Sequence, residues 1–410
     1  MAEDARSRER LGVKRFRVAI VCPDAFTAWH FYKPLLTGLQ AHGCEVWVIS
    51  RPGIDVQNLE RLGIGHVPLM VGRFISLWKD IRGLAHLILT MRKYRFDFVH
   101  SFYLKLNAYG ALAARMSGAK RVLGTVEGLG FTHDSGGGFV AALLRLIINQ
   151  FNRLTGRLSD KIWFVNDSDR DLFVSRGFVG KSKTLVTRGH GIDLRDFDQR
   201  RSDPEKLEAL RNELGLTTSS VAVTMIVARA IWSKGIQEFV DMASLLRHRN
   251  PHVRFILLAP PEADSPDVVP NSYLESAVSA NPNLCWLSQF RRDILDILDL
   301  SDVVVLPSYY NEGFPAVLLE AMALGKPIVT TQNVGCQDAV VHGDNGYLVP
   351  ARNPKRLANA VEELLNDPGK REVFGKRSRK KAEEKCDASI VIQQVLDSLY
   401  SKPLSIRKSD

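Results

Sequence analysis

Cysteine is scarce in this chain of 410 residues and does not pattern. The five residues, Cys22, Cys44, Cys285, Cys336 and Cys386, form no CxxC pair and no ligand spacing. A disulfide-stapled fold is therefore excluded, and a reducing compartment is the expected setting. Long apolar runs are also missing. The longest, at residues 84–91 and 139–144, fall well short of the ~18 residues of a membrane span, so none is expected. The N-terminal stretch MAEDARSRERLGVKRF is charged without an apolar core, so no signal peptide is expected. No aromatic stacking motif interleaves with the basic residues and no recognised nucleic-acid module is present, so no nucleic-acid partner is expected. What the chain does have is 45% apolar and 24% charged residues, a globular balance that excludes wholesale disorder.

Charge is unevenly placed. Residues 1–190 carry 28 Lys+Arg against 15 Asp+Glu, while the remainder carries 27 against 30. The basic half is either ordinary solubility charge or a surface for an anionic partner such as a membrane. Two stretches in it, residues 76–95 (SLWKDIRGLAHLILTMRKYR) and 139–157, mix apolar and basic residues at helical spacing, as membrane-surface helices do.

Apolar, β-branched runs alternate with helix-length stretches along the chain. The strand candidates are residues 16–22, 45–50, 66–70, 96–102, 121–127, 161–165 and 184–188, then 221–227, 253–259, 284–288, 302–307, 327–331 and 346–349. Runs apolar on both faces predict parallel sheets covered by helices, and two such series predict two doubly wound α/β domains. The polar stretch GHGIDLRDFDQRRSDP, residues 189–204, has no period and reads as the boundary. The expected division is a disordered tail at 1–13, a first domain at 14–192, a second at 193–386 and a crossover helix with tail at 387–410.

Chemistry concentrates in residues 307–331, PSYYNEGFPAVLLEAMALGKPIVTT. A strand ends at Pro307, a turn follows, and a helix begins near Phe314–Pro315 and stops at Gly325, the Pro-first, Gly-last arrangement of helix ends. Free N–H groups and the helix dipole make Gly313, Phe314, Pro315 and Ala316 a place for phosphate. Glu312 precedes the helix and Glu320 lies two turns in. On spacing alone the pair either receives hydroxyls of one extended ligand, such as a nucleotide sugar, or is one N-terminal and one solvated glutamate. Arg229 and Lys234, in ARAIWSKG after the run at 221–227, sit where α/β sheets bind ligands and offer two cations for a diphosphate.

Taken together these segments resemble glycosyltransferase family 4. Its E-x7-E motif is matched by Glu312 and Glu320, its R-x4-K motif by Arg229 and Lys234, and the later GCQDAVVHGDNGYLVP and PKRLANAVEELLND complete the pattern. In the first half, residues 97–119, LGTVEGLGF and DKIWFVNDSDRDLFVSRG are similar to the bacterial branch that builds capsule, O-antigen and lipid-linked oligosaccharide precursors. The resemblance implies a GT-B fold: two Rossmann-like domains facing across a cleft, with the C-terminal helix packing back on the first. It also implies a retaining, metal-independent transferase that moves a sugar from a UDP-sugar to a lipid-linked or saccharide acceptor. No cofactor is expected, and the implied location is the inner face of the cytoplasmic membrane. Glu312, Arg229 and Lys234 carry the chemistry, with Glu320 on the donor. Two other classes remain open, a UDP-sugar epimerase of the same fold and a non-catalytic nucleotide-sugar-binding protein.

Two positions depart from the family. Many members have a histidine where Glu127 stands; here it either orients the acceptor hydroxyl or caps the turn before Gly128. Many have a Gly-Gly loop after the first strand, whereas residues 23–30, PDAFTAWH, read as a loop without glycine. His30 and His190 are assigned to the acceptor side. Asp167-Ser-Asp169 is a DxD, read as a helix N-cap with first-turn acids rather than a metal motif. Asp196–Asp198 falls in the expected linker. His133 is an isolated histidine, and Gly136–Gly138 reads as a flexible loop.

Overall fold

Every expected apolar run becomes a strand, with its ends moved by two residues at most. In the first half these are β1 (Arg17–Asp24), β2 (Glu45–Arg51), β3 (Gly65–Pro68), β4 (Phe98–Phe102), β5 (Arg121–Val126), β6 (Lys161–Phe164) and β7 (Thr184–Val186). In the second they are β8 (Val221–Ile226), β9 (Val253–Leu258), β10 (Leu284–Leu287), β11 (Val303–Leu306), β12 (Ile328–Thr331) and β13 (Gly346–Val349). The computed structural model describes residues 15–72, 76–130, 139–200, 203–262 and 265–400. The expected tail at 1–13, His133, Gly136–Gly138 and the end of the chain after residue 400 lie outside the described residues.

The strands form two parallel sheets, ordered β3-β2-β1-β4-β5-β6-β7 and β10-β9-β8-β11-β12-β13. Their central strands are buried on both faces, which is why their sequences read as unbroken apolar runs. In each sheet the strand order reverses once, between β1 and β4 and between β8 and β11, giving each a doubly wound switch point.

The described residues divide into two compact units. One holds residues 15–127, 139–187 and 392–400; the other holds 128–130 and 188–391. The changes of unit at 187/188 and 391/392 lie about five residues from the expected 192/193 and 386/387. The stretch expected to be an aperiodic boundary, residues 189–204, contains one short helix, Leu194–Gln199, and ends where a second, Pro204–Glu213, begins; each is started by an aspartate cap, Asp193 and Asp203. Asp196 and Asp198 therefore lie on a helix. Asp198 accepts a two-pronged ion pair from Arg379 at 2.7 and 2.9 Å, a structural use.

In the first unit, the helices Leu77–Tyr94, Leu104–Met116 and Phe139–Leu158 pack side by side. Asp80 anchors the first of them: it accepts from the Ser76 N–H at 3.0 Å and pairs with Lys105 at 2.6 Å. Residues 23–30 are not a loop. Asp24 accepts from the Thr27 N–H at 2.9 Å and the Thr27 hydroxyl at 2.7 Å, capping the helix Ala25–Ala41. That cap was present in the sequence as Asp24-x-x-Thr27.

The chain's last described segment returns to the first unit, as the resemblance implies. From the helix Ala388–Val395 it runs through a wide turn, Leu396–Tyr400, whose Leu396, Leu399 and Tyr400 are buried. The Tyr400 hydroxyl shares a hydrogen bond with His100 Nδ1 at 2.7 Å, and His100 Nε2 shares one with the Thr125 hydroxyl at 2.7 Å. Burial pushes the His100 pKa down to about 3, so this ring stays neutral and serves as a buried hydrogen-bonding post.

Candidate functional site

The second sheet's switch point brings together the two loops that carry the R-x4-K and E-x7-E residues. The loop after β8 and the loop after β11 leave adjacent parallel strands at their carboxyl ends. Backbone hydrogen bonds stitch them: the Ser233 carbonyl accepts from the Tyr309 and Tyr310 N–H groups at 2.9 and 3.0 Å. Gly235, at φ +83°, is required by that join. A Cβ there would lie 2.2 Å from the Pro307 carbonyl oxygen.

Lys234 and Glu312 meet in this join. Lys234 Nζ donates to Glu312 Oε1 at 2.6 Å, the Ser308 hydroxyl donates to the same oxygen at 3.0 Å, and Lys234 also lies over the Tyr310 ring at 4.9 Å. Glu312 is only 8% exposed, so its charge is compensated inside the protein. Arg229 pairs more loosely with Glu262, at 3.7 Å. The loops thus hold two cations, each beside one carboxylate.

Pro315 precedes the helix Ala316–Ala323, and Gly325, at φ +63°, follows it, as the sequence predicts. Gly313, Phe314 and Pro315 are buried at its start, and the N–H groups of the first turn have no place in the helical ladder. Glu320 lies in the helix, half-buried. Burial raises its pKa to about 7, so it is not the solvated glutamate that spacing alone allows. Gly335, at φ +78°, closes over the loop; a Cβ would lie 2.6 Å from the Glu312 and Gly313 carbonyl oxygens.

The remaining candidates are placed elsewhere. Glu127 follows β5 in the first unit. Burial raises its pKa to about 7 against the opposing hydrogen bonds of the Tyr32 and Tyr103 hydroxyls. His30 stands on the Ala25–Ala41 helix, its ring against Phe26 at 4.1 Å and its Nε2 4.0 Å from Asp55. His190 belongs to the second unit, between Gly189 and Gly191 at φ +73° and +86°, and burial lowers its pKa to about 4. The DxD is a helix start, but its cap is Asn166, which accepts from the Asp169 N–H at 2.8 Å; Asp167 and Asp169 are first-turn acids. Sequence reasoning missed Tyr32 and Tyr103, because no local spacing links them to a carboxylate 95 or 24 residues away, and Ser308, because an irregular turn has no period to show that its hydroxyl folds back on Glu312 four residues on.

Residues 28–189 match the Glycosyl transferase 4-like domain and residues 211–381 match the Glycosyl transferases group 1 domain. The chain is a glycosyltransferase that joins these two domains in the GT-B fold. Among its relatives, the N,N'-diacetylbacillosaminyl-diphospho-undecaprenol alpha-1,3-N-acetylgalactosaminyltransferase of Campylobacter jejuni is 29% identical over 94% of this chain and 98% of that one. The UDP-Gal:alpha-D-GlcNAc-diphosphoundecaprenol alpha-1,3-galactosyltransferase of Escherichia coli is 27% identical over 72% of this chain and 73% of that one. Among solved structures, HepE of Anabaena in complex with UDP and glucose superposes with a TM-score of 0.77 at 20% identity, covering 94% of this chain and 100% of that one.

Proposed function

We propose that the enzyme transfers a hexose or N-acetylhexosamine from a UDP-sugar to a lipid-diphosphate-linked saccharide, with retention of anomeric configuration and without a metal. The observation that carries the reading is the joined pair of loops holding Arg229, Lys234, Glu312 and the start of the Ala316–Ala323 helix at one switch point. Those groups together suit a diphosphate sugar: cations and helix N–H groups for the phosphates, carboxylates for hydroxyls. The similarity to undecaprenyl-diphosphate transferases and to a UDP-bound structure supports the choice of donor and acceptor.

In the step itself the acceptor hydroxyl attacks the anomeric carbon on the face that the diphosphate leaves. The carbon–oxygen bond to the diphosphate breaks with its electron pair on the phosphate oxygen. The new glycosidic bond forms from the acceptor oxygen, and its proton passes to the departing phosphate. Negative charge accumulating there meets Arg229, Lys234 and the helix N-terminus, so no metal and no protein nucleophile are required. UDP release from a panel of UDP-sugars, with and without undecaprenyl-diphosphate-linked saccharides, tests the reading. Turnover is expected to survive excess EDTA. Loss to chelator with recovery in Mg²⁺ or Mn²⁺ overturns the cation-pair account.

A lipid-linked acceptor brings the first unit to a bilayer. Its Leu77–Tyr94 helix exposes Trp78 (76%), Ile81 and Leu89 beside Lys79 and Arg82, and the neighbouring Phe139–Leu158 helix exposes Leu143, Leu144 and Leu146. Each basic side chain near an anionic leaflet contributes about 1 kcal/mol within a screening length of ~8–10 Å. Co-sedimentation with vesicles is expected to rise with anionic lipid, fall with salt and drop in a Trp78→Ser, Lys79→Glu variant. Full recovery in the supernatant with strongly anionic vesicles at low salt rejects the membrane surface.

A further inference from the structure

The turn at residues 308–313 carries two successive tyrosines, and a cation lies on the ring of each. Lys234, from the loop after β8, lies over Tyr310 at 4.9 Å. Arg352, from the loop after β13, lies over Tyr309 at 4.3 Å. The first contact belongs to the join already described; the second does not. In the sequence Arg352 falls between the two matched segments, one ending at Pro350 and the next starting at Pro354, so no motif marks it.

The backbone shows that an arginine is not there for the turn's own sake. Arg352 holds φ +57°, the left-handed region that glycine enters freely and a residue with a Cβ enters at a cost. Arg95 has a φ of the same sign, but its N–H closes the helix Leu77–Tyr94 on the Met91 carbonyl. The helix after Arg352, Pro354–Asn366, is started by Asn353, whose side chain accepts from the Arg356 N–H at 3.0 Å. Glycine would serve the turn better at position 352. What the arginine adds there is a guanidinium on the Tyr309 ring.

Tyr309 is a place where such a contact has consequences. Its N–H and that of Tyr310 donate to the Ser233 carbonyl, next to Lys234, and the Asn333 side chain donates to the Tyr310 carbonyl at 2.7 Å. The Tyr309 side of the turn is half-buried, so its ring is open to a cation from a neighbouring loop. Burial and the charges of Glu238 and Asp267 push the Tyr309 pKa up, and Arg352 opposes them by its charge and by a hydrogen bond to the hydroxyl. Burial likewise raises the pKa of Glu238, and the Arg352 charge counters that too. Glu238 stands on the helix Ile236–Leu246, which begins straight after Gly235. One side chain from the loop after β13 thus faces both the turn after β11 and the helix after β8, the segments that hold Glu312 and Lys234.

We propose that Arg352 is a positioning residue for sugar transfer: stacked on Tyr309, its guanidinium braces the turn at residues 308–313 and keeps Glu312 aligned with Lys234. Transfer is sensitive to such alignment, because small displacements of groups around the reacting centre lower the rate steeply. The inference rests on the UDP-sugar transfer proposed above. UDP release by the unmodified enzyme tests that reading separately, before any variant is compared.

The test uses the full chain with UDP-galactose and UDP-N-acetylgalactosamine, and undecaprenyl-diphosphate-linked N-acetylglucosamine as acceptor. Arg352→Gly is expected to lower kcat/KM for the donor roughly 2–10-fold, the range for one cation–aromatic contact. Its melting temperature should hold or rise, because glycine accepts the positive φ. Arg352→Lys keeps a cation and should recover part of the loss. Tyr309→Leu should match Arg352→Gly, and the double variant should be no worse than either single one. Tyr309→Phe, which keeps the ring and loses the hydroxyl, should lose less than Tyr309→Leu. Hydrogen exchange needs no substrate: the amides of residues 308–313 should exchange faster in Arg352→Gly, by about 2–10-fold, with those of β11 unchanged. If the unmodified enzyme turns over no UDP-sugar, the donor reading fails and the exchange measurement alone decides the brace. Unchanged exchange in the turn, or wild-type kcat/KM in Arg352→Gly, overturns the proposal. So does a fall in melting temperature large enough to account for the lost activity, or additive losses in the double variant.

Discussion

Lys234→Ala is expected to lower turnover by roughly 10²-fold or more, on the order of 3 kcal/mol of transition-state stabilisation, with the fold retained. Two consequences of the geometry make the effect large. The substitution strips a cation from the position where leaving-group charge accumulates. It also leaves Glu312, nearly buried, with Ser308 as its remaining hydrogen-bond donor. The second consequence separates Lys234 from Arg229, whose contact with Glu262 is longer and more exposed. Arg229→Ala is therefore expected to lose turnover with little change in melting temperature, whereas Lys234→Ala should lose both. The Lys234→Ala, Glu312→Gln double variant should regain stability without regaining activity, because it removes the uncompensated carboxylate but restores no cation. Turnover near wild type in both single variants removes these cations from the mechanism.

Ending the chain at Val391 is expected to abolish cooperative folding of the first unit. The segment removed includes Ile392, Val395, Leu396, Leu399 and Tyr400, all buried in that unit. At about 1.5–3 kcal/mol for each buried side chain, their loss is on the order of 10 kcal/mol, an upper figure but comparable with a domain's whole stability. Thermal unfolding of the truncated chain should show one transition where the full chain shows two, or one broader one. An unchanged first transition would overturn the assignment. Tyr400→Phe isolates the hydrogen bond and should cost about 1 kcal/mol, since it leaves His100 Nδ1 buried without its partner. The same histidine sets a pH dependence. Its folded pKa, about 3, lies below the usual 6.5, so its contribution is complete above pH 6.5 and is lost as pH falls toward 3.

The loops of the proposed donor site were legible in the sequence because each is local. An apolar run ends, a cation or carboxylate follows within a few residues, and Pro315 and Gly325 mark a helix. The strand runs were legible for the same reason: both faces of a central strand are buried, so the pattern needs no knowledge of the neighbours. The helix Ala25–Ala41 stands where a glycine-free loop is expected, because Asp24 caps its first turn through Thr27 and so starts the helix directly at the end of β1.

The sequence by itself determined two parallel α/β sheets, the order of the motifs, the placing of Arg229, Lys234 and Glu312 in loops after strands, and that of Glu320 within the following helix. Only the tertiary structure decided that Lys234 and Glu312 neutralise each other across 78 residues, and that Tyr32 and Tyr103 stand over Glu127. The same is true of Tyr400, which returns across 300 residues to hold His100. The physical reason is common to all of these. Strand and helix signals come from the periodicity of neighbouring residues, whereas ion pairing, a buried carboxylate and a shifted pKa depend on which distant side chains share a buried volume. That is set by strand order and by where the chain crosses back.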